Sequence, residues 1–199
     1  MRIGLFGGSF NPPHNGHFNL ALDFYKASGI EKLIIMPSYL PPHKEPSSVC
    51  AQHRFNMTKL AFAPFNKMGI DYTVSDYEIA KKDTSYTYLT VDHLLCEYGE
   101  EKLALCVGSD MFLSFEMWKN ARELMNKCVI YTKAREEGEY VALEKHAEFL
   151  EKEYSAEVYI IKSEVYDASS TQIRRSANDA ESKICEDVFD YIKNNGLYK

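Results

Sequence analysis

The chain has 199 residues, of which 45% are hydrophobic and 26% charged, the proportions of an ordinary globular protein long enough for one domain with a proper core. A formal net charge of −6 argues against a basic nucleic-acid-binding surface and leaves any anion binding to a local cluster. The five cysteines (Cys50, Cys96, Cys106, Cys128 and Cys185) include no CxxC pair, which argues against a disulfide framework or zinc site and fits reduced thiols in a cytosol. With no signal-peptide pattern and no apolar run of membrane-spanning length, the expectation is a cytoplasmic protein without a membrane partner.

In chain order, residues 2–6 form a short apolar run that reads as a strand, breaks at Gly7-Gly8 and turns through residues 9–13. Phe18, Ala21, Leu22 and Tyr25 then recur at helical spacing, and Gly29 is a natural stop. A strand, a glycine turn and a helix N-terminus together make an anion site, because free backbone N–H groups and the positive helix end point at its occupant. His14 and His17, three residues apart, share a face of the first helical turn. An arbitrary His pair is more often surface decoration or a cap. Here, however, neither the Walker A pattern nor GxGxxG is present, and imidazoles stand where a lysine is usual.

Residues 32–36 (KLIIM) form a second near-continuous apolar run, as a parallel strand covered on both faces requires, and complete a βαβ unit. Residues 37–48 are too rich in proline for regular structure and sit at the strand end, on the sheet edge where α/β proteins collect ligands. His43 and Lys44 on that loop read as a lid with a phosphate hook, although taken alone an ordinary surface lysine is the plainer account. Residues 51–65 read as a helix with Met57, Leu60 and Ala61 on one side and Arg54 one turn in. A weak strand over 72–75, a charged connection over 76–82 and a helix bearing Tyr88, Val91, Leu95 and Tyr98 follow, the helix capped by Ser85 or Thr87. Residues 102–107 read as the fourth strand, cut by Gly108-Ser109-Asp110. Trp118, a helix near 121–126, a strand over 128–132, a charged helix and a strand over 158–161 come next.

Residues 168–175 (ASSTQIRR) then start a helix whose hydroxyls and amides can hold a phosphate, with Arg174 a turn inside as a charged fork. A last helix over 184–195 stops at Gly196. Strand and helix alternate throughout, without repeats. The expected fold is a doubly wound, Rossmann-like α/β domain with a mostly parallel sheet and helices on both faces. It is read as a single domain with a small helical portion from about 168 to 199.

The stretch GSFNPPHNGH, with His14-Asn15-Gly16-His17, resembles the phosphate signature of the HxGH nucleotidylyltransferases. The PPHK loop, SYT before a helix, GSD after a strand with Trp118 beyond, SSTQIRR and the closing YIKNNGLY are similar to the nicotinate-nucleotide adenylyltransferase family of bacteria, in order and over nearly the whole chain. The resemblance implies adenylyl transfer from ATP to nicotinate mononucleotide in NAD biosynthesis, with Mg²⁺ carried on the triphosphate and no protein metal site. It implies catalytic roles for His14, His17 and Arg174. ATP would be held by Gly7, Gly8, Ser9, Phe10, His14, His17, Ser170, Thr171 and Arg174. The mononucleotide would be held by Asn11, Lys44, Thr87, Asp110 and Trp118, with the ring on Trp118 and its carboxylate on backbone N–H groups near Thr87.

Two departures stand out. Ala168 replaces the hydrophobic residue usually preceding SST, and Arg135-Glu136-Glu137-Gly138 replaces the usual Arg-Pro-Gly, which leaves a nucleotide role for Arg135 open. Two other readings compete: a nucleotidylyltransferase using nicotinamide mononucleotide or phosphopantetheine, and a non-catalytic nucleotide sensor. Homo-oligomerisation is left open.

Overall fold

The computed structural model describes residues 1–42, 48–164, 166, 168–175 and 182–198. Among them, strands β1 (Ile3–Gly8), β2 (Lys32–Pro37), β3 (Tyr72–Val74), β4 (Leu103–Gly108), β5 (Cys128–Lys133) and β6 (Glu157–Ile160) make one sheet in the order β3-β2-β1-β4-β5-β6. Every pairing is parallel. The doubly wound expectation is met.

Burial explains why the strands read as apolar runs rather than alternations. In β2, Leu33 and Ile35 face one core, with Phe24, Met57, Phe62 and Val188, while Ile34 and Met36 face the other, with Val91, Leu94, Leu124 and Leu143. The first core is covered by helices α1 (Asn15–Ser28) and α2 (Ala51–Phe62) and by the last helix, Glu186–Asn194. Six phenylalanines (Phe10, Phe24, Phe62, Phe65, Phe112 and Phe115) are among the largest fully buried side chains, each stabilising the fold by about 1.5–3 kcal/mol relative to exposure. No helix among the described residues is long and apolar enough to cross a membrane.

Several local expectations need correction. The first strand does not break at Gly7-Gly8: both glycines stay in the ladder, opposite Met36 and Pro37. The connection over 76–82 contains a short helix, α3 (Tyr77–Lys81). The next helix, α4 (Thr87–Tyr98), has Tyr86 at its N-cap with no side-chain cap. Ser85 is withheld from capping because its Oγ accepts the Tyr39 N–H at 2.9 Å. The helix over 51–65 ends at Phe62, where Ala63–Met68 tightens into a 3-10 turn with Pro64 in its first turn. Short α5 (Ser109–Phe112), α6 (Ala121–Lys127) and α7 (Tyr140–Tyr154) then pack on the second core, and α8 (Ser170–Arg175) crosses to the first through Ile173.

Candidate active site

β1 and β4 are neighbours, with Gly4–Phe6 opposite Ala104–Cys106, yet the chain leaves them for helices on opposite faces. The crevice beyond their carboxyl ends is therefore the switch point of the sheet, where α/β proteins bind ligands. Gly7 borders it, and a Cβ there would meet nothing nearer than the Met36 carbonyl at 4.0 Å. Gly8 is required for a different reason, since its Cβ would lie 2.9 Å from the Phe10 ring. Phe10 takes a left-handed φ of 44°, uncommon for a residue with a side chain. Its ring is buried edge-on against Phe6, His17 and Phe62. That burial leaves Phe10 only its backbone to offer a ligand.

α1 begins at the same corner. His14 is its N-cap, and the Nδ1 atoms of His14 and His17 each accept the other's backbone N–H, at 3.3 and 3.2 Å. The rings stack with centroids 3.7 Å apart. Such a reciprocal box satisfies two orphan donors of the helix start, each cap bond stabilising by about 1 kcal/mol. Burial, then the positive charges of Arg135 and Lys183, pull the His14 pKa down to about 3. Gly16 between the two histidines is enforced sterically: a Cβ would meet His14 Nδ1 at 3.0 Å and Ala168 Cβ at 3.3 Å.

The turn between β1 and α1 is clamped by its carbonyls. Arg54 Nη1 donates to Ser9 O at 2.8 Å, Arg174 Nη1 to Asn11 O at 2.6 Å and Ser170 Oγ to Pro12 O at 2.9 Å. Tyr198 OH donates to Asn11 Oδ1 at 2.6 Å, its own pKa raised by burial. Arg174 Nη2 also reaches Thr171 Oγ1 at 3.0 Å. The peptide Asn11–Pro12 is cis.

Two hollows meet at Gly108. The smaller, about 50 Å³, is lined by His14, Gly16, His17, Ser109, Lys133 and Arg135 among others. It gathers two cations, Lys133 and Arg135, beside the histidine pair. Lys133 is 5% exposed and pairs with Asp23 at 2.6 Å, and Ser163 Oγ donates to the same carboxylate oxygen at 2.7 Å. Arg135 pairs with Asp110 at 2.8 Å on the rim. The larger hollow, about 470 Å³, is lined by Gly7, Gly8, Ser9, Glu78, Tyr86, Thr87, Trp118 and Lys119 among others, a size suited to a small ligand. Trp118 packs on Phe115 with centroids 4.7 Å apart, and its buried Nε1 has no hydrogen-bond partner among the described residues. Lys119 Nζ lies 4.3 Å above the Tyr86 ring. Burial raises the pKa of Glu78, opposed by hydrogen bonds from Thr90 and Ser85.

The sequence-predicted residues thus gather at one sheet edge. His14 and His17 line the small hollow, and Gly7, Gly8, Ser9, Thr87 and Trp118 the large one. Asn11, Ser170, Thr171 and Arg174 are joined in the clamp beside them, where Arg174 holds loop backbone. Asp110, two residues beyond the shared Gly108, is engaged by Arg135 and is not among the residues lining either hollow. Lys44 lies outside the described residues. Sequence reasoning passed over Lys133, Glu78 and the burial of Arg54. Arg54 carried a signal: it shares the i, i+3, i+4, i+7 stripe of α2 with buried Met57, Thr58 and Ala61, and a charge on a core stripe marks a buried polar junction.

A parallel sheet in this order, with glycines and a paired-imidazole helix cap at its switch point, defines a doubly wound α/β protein with a helix start suited to an anion at its ligand edge. Residues 5–176 match the family model described as cytidylyltransferase-like, and the chain belongs to that family. A probable nicotinate-nucleotide adenylyltransferase of Aquifex aeolicus is 40% identical over 178 residues, covering 86% of this chain and 100% of its own. The protein of the same name from Clostridium botulinum is 32% identical over 202 residues, covering 100% of this chain and 98% of its own. Among solved structures, Plasmodium falciparum nicotinic acid mononucleotide adenylyltransferase complexed with NaAD superposes with a TM-score of 0.76 at 18% identity, covering 99% of this chain and 97% of that one. This likeness establishes the shared fold.

Proposed function

We infer that the protein transfers the adenylyl group of ATP to nicotinate mononucleotide, forming nicotinate adenine dinucleotide and pyrophosphate in NAD biosynthesis. The observation that carries the reading is the junction at Gly108: a hollow edged by His14, His17, Lys133 and Arg135 opens beside one lined by Trp118 and the start of α4. Placing the triphosphate over the first and the mononucleotide in the second brings the two substrates together at the switch point.

A phosphate oxygen of the mononucleotide attacks the α-phosphorus of ATP. The bond from that phosphorus to the oxygen leading to the β-phosphorus breaks, and pyrophosphate leaves with the electron pair. The nucleophile is already anionic at neutral pH, so no side chain need deprotonate it. What the protein supplies is alignment and preorganised positive groups where charge grows. Magnesium would come with ATP, held chiefly by phosphate and water rather than by the protein, and would offset the charge of the triphosphate. The reading assigns phosphate contacts to His14 and His17. The pyridine ring goes to Trp118 and its carboxylate to the uncapped first turn of α4 near Thr87. Lys44 is assigned to the mononucleotide phosphate and Asp110 to its ribose. A cytoplasmic setting belongs to the same proposal, supported by five cysteines that are free thiols.

The test is pyrophosphate release from ATP with nicotinate mononucleotide, with nicotinamide mononucleotide and with phosphopantetheine. Release with the first at much higher kcat/KM than with the others is expected. ATP binding without turnover of any of them would replace this reading with that of a sensor.

A further inference from the structure

We propose that Arg54 is a positioning residue for adenylyl transfer, a buried strut that sets the spacing between the loop after β1 and the loop after β2. The proposal rests on the functional reading above and deepens it, because these two loops border the site at which the two substrates meet.

Arg54 is 3% exposed. Its guanidinium donates through Nη1 to Ser9 O at 2.8 Å and through Nη2 to Tyr39 O at 2.9 Å. Ser9 follows β1 and Tyr39 follows β2, strands that are paired up to Gly8 and Pro37. Beyond that last pair Ser38 N still bonds Gly8 O at 2.9 Å, and after it the chains diverge around the large hollow. Arg54 bridges the point of divergence.

The bridge continues on the far side. Tyr39 N donates to Ser85 Oγ at 2.9 Å, and Ser85 N donates to Leu40 O at 2.8 Å. Close by, the Glu78 carboxylate accepts from Thr90 Oγ1 at 2.6 Å. A run of hydrogen bonds therefore joins Ser9, at the turn after β1, to Ser85, just before α4, by way of Arg54 and Tyr39.

Stability alone does not account for this arginine. Among the described residues no carboxylate forms a contact ion pair with it: Glu78 acts on it only at longer range, its hydrogen bonds go to neutral carbonyls, and its buried Nε has no partner. An apolar residue on the same stripe of α2 would hold the helix to the sheet without desolvating a cation. What an apolar residue cannot do is hold two carbonyls at a set separation. The planar fork has that geometry, whereas the single ammonium of a lysine does not.

The experiment compares wild type with Arg54→Lys and Arg54→Gln. It measures steady-state kcat and KM, the Kd of ATP alone and of nicotinate mononucleotide alone, and the folded fraction by thermal melting. If Arg54 sets the spacing, kcat falls by about 10–100-fold, as small misplacements in a two-substrate reaction do. Each single-ligand Kd stays within about threefold, because each loop still forms its own contacts. Retention of kcat within twofold in both variants overturns the proposal. So does a rate loss matched by the unfolded fraction, a parallel loss of both affinities, or failure of both variants to fold. Absence of pyrophosphate release from the wild type overturns instead the functional reading on which the proposal rests.

Discussion

His14 and His17 cap each other: the Nδ1 of each accepts the backbone N–H of the other, and the rings stack at 3.7 Å. An Nδ1 that accepts carries no proton, so each neutral imidazole keeps its proton on Nε2. The pair therefore presents two N–H donors of fixed direction at the positive end of α1. Protonation of either Nδ1 would set donor against donor inside the cap. On the proposed reading these donors would serve phosphate oxygens without a mobile cation, which would tie the helix start to the chemistry.

Replacing His17 separates these two duties. His17→Ala removes one donor to the reacting phosphate, and kcat is expected to fall by about 10²–10³. It also opens half the cap, a loss of about 1 kcal/mol, or a fall in Tm of about 2–4 °C for a chain of this size. Steady-state kinetics and a thermal melt check both, and near-wild-type kcat would take His17 out of the mechanism.

The pKa of His14 sets a pH dependence of stability. Its folded value, about 3, lies below the ordinary 6.5, so on acidification the unfolded chain takes up the proton first. The stability that the neutral ring confers is complete above pH 6.5 and is lost as pH falls toward 3. The slope is about 1.4 kcal/mol per pH unit inside that window. His14→Asn keeps a good N-cap residue and cannot titrate there. Urea unfolding at pH 7, 6, 5 and 4 is expected to show a shallower decline for that variant, and equal slopes would mean that His14 is not held neutral.

Gly16 offers a test in which stability and activity part company. Alanine is favoured over glycine in helices by about 1 kcal/mol, yet its Cβ would lie 3.0 Å from His14 Nδ1 and 3.3 Å from Ala168 Cβ. The ring, stacked on its neighbour, must shift. Gly16→Ala is expected to melt within a few degrees of wild type while kcat drops by about tenfold or more. Gly108→Ala is the contrast: its Cβ would meet Arg135 Nη2 and Asp110 Oδ1, both at 3.2 Å. Those atoms pair with each other at the ends of exposed side chains, and the pair can swing aside. Its Tm should match wild type, and its kinetic change should be the smaller of the two.

Preference for the acid over the amide should come from α4. Its N-cap residue, Tyr86, makes no side-chain cap bond, and Tyr86 and Thr87 line the large hollow. Backbone donors there suit a carboxylate and would face the NH₂ of an amide donor to donor, a mismatch of about 1–3 kcal/mol per unpaired group. The expected kcat/KM ratio of nicotinate to nicotinamide mononucleotide is therefore at least about tenfold. Trp118 can stack on either ring. Trp118→Ala should weaken both substrates and leave their ratio nearly unchanged, and a collapse of the ratio would move the discrimination to Trp118.

By itself the sequence determined the parallel α/β architecture, the tight strand-to-helix connection ahead of α1 and the residues gathered at one sheet edge. Those features follow from local rules. A strand buried on both faces needs an apolar run, a helix needs a periodic stripe, and a phosphate site needs small residues and donors in one short stretch. Only the tertiary structure decided how these pieces are held. It kept Gly7 and Gly8 inside the ladder, gave Ser85 to the Tyr39 N–H rather than to a cap, and set Arg54 and Arg174 on loop carbonyls. It also brought Tyr198 to Asn11 across 187 residues. The physical reason is that most of these contacts end on backbone N–H and C=O groups, which every residue carries. A carbonyl that accepts an arginine leaves no mark in the residue type, so the clamp around the site becomes visible only when the chain has closed on itself.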